Sequence, residues 1–231
     1  VTYLKSAGNL DFCNFNLLDV KVCPGCGFAS KDYGYFHANF NDRPPFDVER
    51  FKQGWGQKIQ SKLQELQPQQ ESCLSDNRPI DMAILANRMG VTSMTKLVEI
   101  NDDPETRNVL LREVASIHMV QAQFYMEQNL QDKAESELRS AQKIANEIFE
   151  RLIGVPSLHA ALLLFRIAIY FKELKDAGQI MRFTDNYNKD GQLSKGSDEY
   201  KAYIVTKNTI KNTYDDRELI DREKMSSFFL E

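Results

Sequence analysis

The sequence predicts a mainly α chain, in which antiparallel helical hairpins follow a small N-terminal β/loop module. Three observations predict it. From Phe46 onward apolar residues recur at helical spacing. Residues 1 to 45 have a different texture, holding three of the four cysteines and the Pro44-Pro45 pair. Within them, Cys23-Pro24-Gly25-Cys26-Gly27 places two thiols in a tight glycine-bearing turn.

In chain order, the alternating run Leu18, Val20, Val22 fits a strand leading into that turn. Val48, Phe51, Trp55, Ile59, Leu63 and Leu66 mark an amphipathic helix over 46–66, with Gly54 and Gly56 inside it. Pro79 opens a short helix over 79–89 that Gly90 closes. Asp103-Pro104 starts the next, over 104–128, and Asn129 takes its left-handed cap. A further stripe covers 131–153 before Gly154 and Pro156. Residues 157–177 are apolar almost all round, which puts that helix in the middle of the helical layer. From Ser194 on, Tyr200, Tyr203, Ile204, Ile210 and Tyr214 predict another helix, and the closing SSFFLE leaves two phenylalanines to dock on the body or on a partner.

Helices 104–128 and 131–153 fit a tetratricopeptide repeat of about 34 residues. With its first position at Ala115, the small or bulky positions fall on Ala122, Tyr125, Ala134, Leu138 and Ala141. A second, more degenerate unit surrounds Ala161, Phe165, Ala177 and Met181. The plainer alternative is a helical hairpin without repeat ancestry. The expected division is a zinc-ribbon-like module over 1–45 and an all-helical tetratricopeptide-like domain over 46–231.

With 42% hydrophobic and 27% charged residues the chain falls among soluble globular proteins. Its net charge of -4 supplies no global positive field for nucleic acid or an anionic membrane. The most apolar run, 158–170, is too short to span a bilayer and includes His159 and Arg166. Four cysteines are too few for a disulfide scaffold, which points to a reducing, cytoplasmic location. The start at Val1 has neither methionine nor a signal pattern, so the chain is expected to be the observed part of something longer.

The two knuckle thiols suit zinc, because the turn brings both to one side and the glycine lets backbone amides point at sulfur. A closed structural site needs four ligands. Cys13 and His37 complete the pattern C-x9-C-x2-C-x10-H with Cys23 and Cys26; alternatively a second CxxC precedes Val1. Cys73, in a polar linker, is too distant to be favoured. A redox pair would need a helix to start at the thiols, and GFASKDYGYF is a poor helix start. Asn186, Asn188, Asp190 and Gly191 follow a calcium-loop spacing, but Ser197 stands where the bidentate glutamate belongs, which favours a plain loop. His118 and His159 lie in helical stripes, and no nucleophile elbow, phosphate loop, HExxH or dinucleotide fingerprint occurs. No catalytic or cofactor-binding residue is therefore assigned.

The stretch DFCNFNLLDVKVCPGCGFASKDYGYF, residues 11–36, resembles the core motif of a bacterial family, domain of unknown function 2225. Asp11, Val20, Val22, Cys23, Pro24, Cys26, Gly27, Phe28 and Ala29 match its pattern of a polar stretch, a short strand and a CPxCG-aromatic-Ala knuckle. Members carry an earlier CPxC knuckle that this chain lacks. The resemblance implies zinc and a tetratricopeptide-like helical region, and no reaction. The expected function is protein or peptide binding by the helical domain, with the metal holding the small module folded. Nucleic-acid binding is the second class, although Lys5, Lys21, Lys31 and Arg43 are balanced by Asp11, Asp19, Asp32 and Asp42. A redox-responsive thiol/zinc sensor is the third.

Overall fold

A computed structural model of the chain describes residues 2–6, 9–13, 15–36, 46–69 and 78–215. The fold is mainly α. It divides into two compact units, 1–124 and 125–231.

In the first unit β1 (Thr2–Ser6) and β2 (Asn9–Cys13) form an antiparallel hairpin that pairs Thr2 with Cys13. A 3-10 turn, Phe15–Leu18, leads to β3 (Lys21–Val22), which pairs with β4 (Ala29–Ser30). The alternation Leu18, Val20, Val22 is therefore only partly a strand: Val20 and Val22 are buried, but Leu18 belongs to the turn. Helices α1 (Val48–Lys52) and α2 (Trp55–Leu66) replace the single helix expected over 46–66. The break is at Gly54, whose φ of 70° is left-handed.

Helix α3 (Ile80–Ile100) runs ten residues beyond Gly90, the expected stop. A Cβ at Gly90 would stand 3.1 Å from Ile117 Cδ1 and 3.2 Å from Val20 Cγ1. The glycine admits a close approach to the next helix, α4 (Pro104–Glu127), and to the segment before β3. α3 packs against β3, β4, α1 and α2 and is the spine of this unit.

Asp103 caps α4. Its carboxylate accepts from the Thr106 amide at 2.8 Å and from the Thr106 hydroxyl. These bonds hold the carboxyl below the ordinary aspartate range. A depressed folded-state pKa adds stability that is present above the unfolded value and lost as pH falls through the folded one. Asp103→Ala should thus lower the melting temperature at neutral pH. Thermal unfolding of the two proteins at successively lower pH should show that gap closing below the ordinary aspartate range, and a constant gap would exclude the carboxylate as its source.

The second unit holds α5 (Gln131–Arg151), α6 (Val155–Tyr170), α7 (Leu174–Asn186) and α8 (Asp198–Asp215). Before α5, Asn129 takes the expected left-handed conformation, and the Leu130 amide reaches back to the Tyr125 carbonyl at 2.8 Å. The helix expected over 157–177 is two helices. Lys172 adopts φ 60°, and the Glu173 amide closes on the Ala168 carbonyl at 2.8 Å, the same cap built without glycine or asparagine.

Each helix of this unit packs on the next, and α6 also packs on α8, so the most apolar helix is central. Ala161, Phe165 and Ala177, the expected second repeat, share one core cluster with Ala145, Ala168 and Ile210, and Met181 packs against it. Among the five template positions of the first repeat, Ala122, Ala134, Leu138 and Ala141 are buried and Tyr125 is partly so. The closing segment SSFFLE lies outside the described residues.

Candidate metal centre

The knuckle is a short hairpin closed by its own backbone. The Cys23 amide donates to the Phe28 carbonyl, and the Gly27 amide to the Cys23 carbonyl, both at 2.8 Å. Gly27 has φ 73°, which turns the chain from Cys26 into β4. The second cysteine thus leads into a strand rather than opening a helix.

Cys23 is half-buried and Cys26 exposed, and both are free thiols. Burial raises the Cys23 thiol, but the Cys26 amide, the Cys26 thiol and the Gly25 amide together outweigh it and hold Cys23 below its ordinary value. Although the Cys26 residue is exposed as a whole, partial desolvation of its thiol is the largest influence, and with the Cys23 thiol and its charge it outweighs the Phe28 backbone, so this thiol is raised. The two thiols of the turn are thus shifted in opposite directions, Cys23 down and Cys26 up.

Beneath the sulfurs the hairpin is fastened to helices. Trp55 Nε1 donates to the Cys26 carbonyl at 2.8 Å. A Cβ on Gly27 would lie 2.8 Å from Ile59 Cγ1 and 3.0 Å from Leu63 Cδ2, so α2 seats directly on the turn. Phe28 enters an aromatic cluster, with ring centroids 5.5 Å from both Phe36 and Phe51 and 5.7 Å from Phe46.

Helices α3 and α4 hold the far strand. Ala29 donates its amide to Ser93 Oγ at 2.9 Å. Glu113 accepts from the Ser30 hydroxyl and the Lys31 amide, each at 2.9 Å. Lys31 pairs with Asp19 at 2.6 Å and donates to Ser116 at 3.0 Å. Tyr35 has its hydroxyl pushed up to about 12 by burial and then by the charges of Glu113 and Asp32. Arg78, buried, donates to the Val20 carbonyl at 2.7 Å and the Leu17 carbonyl at 3.1 Å, satisfying backbone groups that precede β3.

Cys23 and Cys26 are brought together. Cys13 ends β2, and only its backbone is described. His37 and Cys73 lie outside the described residues. Among the described residues no group of three or more His, Cys, Asp or Glu is placed to hold a metal. Ser93, Glu113 and Arg78 escaped sequence reasoning. Glu113 adjoins Val114 in an apolar helical stripe, which marks it as a charge beside the core, whereas nothing local distinguishes Arg78 from other polar linker residues.

In the loop 186–197 the Asn188 and Ser197 side chains accept from backbone amides. Asn188 Oδ1 accepts from the Leu193 amide at 3.1 Å, and Ser197 Oγ accepts from the Tyr200 amide at 3.1 Å, so Ser197 caps α8. His118 is partly buried on α4 and His159 exposed on α6. Among the described residues no helix is long and apolar enough to cross a membrane. No protein-family model, curated protein or solved structure matches this chain.

Proposed function

We propose that this chain is a zinc-binding interaction scaffold of the kind its resemblance to the bacterial domain of unknown function 2225 implies. Residues 1–45 act as the metal-stabilised module and 46–231 as the partner-binding helical domain, working in the cytoplasm. The observation that carries the metal is the backbone-closed turn that holds two free thiols three residues apart, Cys23 and Cys26. Paired thiols in a tight turn fit zinc, which binds them as thiolates. Cys13 and His37 would supply the remaining ligands. Bound zinc supplies a redox-inert crosslink between chain segments, worth folding free energy rather than catalysis. The partner-binding half of the reading rests on stacked helices that leave a lined cleft in the second unit.

Trp55 gives a direct test, as the single tryptophan and a donor to the Cys26 carbonyl. Zinc added to metal-free full-length protein should shift Trp55 emission and saturate at one equivalent. Cys23→Ser and Cys26→Ser should each abolish saturation, while Cys73→Ser should not. Cys13→Ser and His37→Ala should weaken zinc binding at least tenfold. Metal-free purified protein together with cysteine variants of unchanged stability would overturn the metal site.

A further inference from the structure

The second unit carries a cleft of about 440 Å3 between α5, α6 and α7. Its floor is apolar, with Leu164, Ala168 and Ile180 beside Phe149 and Phe183, whose rings meet edge to face at 4.7 Å. Glu150 on α5 and Asp176 on α7 stand at its rim, both exposed. No lysine or arginine lines it. At the Gln142 end of the cleft Arg139 donates to the Gln142 side-chain oxygen at 2.7 Å and pairs with Glu173 at 2.8 Å, a neutral pair. No ion pair within 4.0 Å involves Glu150 or Asp176 among the described residues, so the cleft joins an apolar floor to two exposed carboxylates.

Its dimensions suit a chain segment. From Gln142 to Glu150 the α5 wall rises roughly 12 Å, the length of three or four extended residues. Asn146 on α5 and Gln179 on α7 line it from opposite helices. Each carboxamide has both a donor and an acceptor, the complement of a peptide group. A volume within the range of roughly 300–1,000 Å3 typical of ligand sites admits one or two large side chains.

We infer that this cleft binds a basic peptide segment, seating a large apolar side chain between Phe149 and Ile180 and placing flanking Lys or Arg against Glu150 and Asp176. The inference rests on the interaction-scaffold reading and names the chemistry of its partner. Charge complementarity decides the sign: an acidic segment would bring further carboxylates to a lining that holds Glu150 and Asp176 and no lysine or arginine, the nearby Arg139 being paired with Glu173.

The test uses the full chain and three fluorescein-labelled octapeptides, followed by fluorescence anisotropy. The parent is Gly-Ser-Lys-Leu-Phe-Lys-Ser-Gly; one variant replaces both Lys by Glu, the other replaces Leu and Phe by Ser. The parent should bind at least tenfold more tightly than either variant. Glu150→Lys combined with Asp176→Lys should cost at least tenfold for the parent with unchanged thermal unfolding, since both positions are exposed. Equal binding of the acidic variant, or indifference to the double substitution, overturns the inference. So does binding that appears only after removal of residues 216–231, which would make the chain's own C-terminal segment the occupant. If the parent fails, an unbiased peptide array separates the two readings. Binders whose amide shifts map outside the cleft overturn this inference and leave the scaffold reading standing, whereas an array with no binder overturns both.

Discussion

Gly27→Val should destabilise the first unit by about 3 kcal/mol, combining roughly 1–2 kcal/mol for a left-handed non-glycine residue with roughly 1–3 kcal/mol for overpacking. The cause is specific. At φ 73° the new Cβ would stand 2.8 Å from Ile59 Cγ1 and 3.0 Å from Leu63 Cδ2, and both of those lie on the face of α2 that seats the turn. Urea unfolding followed by Trp55 emission reads this unit, because Trp55 bonds to Cys26 within the same contact. Gly25→Val is the control. It lies one residue before Cys26 in the same turn, with nothing within 4 Å of its added Cβ, and should change stability by less than about 0.5 kcal/mol. A Gly27 variant as stable as the Gly25 variant would mean that α2 does not rest on the knuckle.

Phe165→Ala should cost the second unit about 3–5 kcal/mol, the usual effect of deleting a core phenylalanine. Phe165 is fully buried in a cluster that holds Ala145, Ala161, Ala168 and Ala177 together with Leu164, Ile169, Ile180 and Ile210. The alanines have no longer rotamers with which to fill a cavity, and only the neighbouring Leu and Ile side chains can relax into it. Against a typical domain stability of about 5–15 kcal/mol this is a large fraction, and the basic peptide should lose affinity in parallel because Leu164 and Ala168 form the cleft floor. Ile153→Ala, at a residue 91% exposed, should be silent in the same circular-dichroism melt. A Phe165 variant that melts with the parent protein would contradict the packing of α6 at the centre of this unit.

The helices were legible where local chemistry and packing agree. Apolar residues at helical spacing located α4, α5 and α8, and Asn129 announced its cap because a short amide side chain tolerates the left-handed region. The errors came from residues whose local preference is overruled by neighbours distant in sequence. Gly90 looks like a helix stop, yet it lies within α3 because Ile117 and Val20 occupy the space its side chain would need. Lys172 carries no turn signal, yet it bends into φ 60° so that α6 can end and α7 can fold back over Ala161 and Phe165.

At the knuckle the division is similar. Residue order alone determined that two thiols share a turn, that Gly27 can take a left-handed conformation, and that the chain beyond Phe46 is helical, because these depend on neighbours a few residues apart. Only the tertiary structure decided what holds that turn. Ser93 on Ala29, Glu113 on Ser30 and Lys31, and Trp55 on Cys26 are contacts across 64, 83, 82 and 29 residues, and no local periodicity encodes a hydrogen bond over such separations. The cleft of the second unit has the same origin: Glu150 and Asp176 are ordinary surface charges along their own helices, and they become a paired acidic rim only when α5 and α7 both pack on α6.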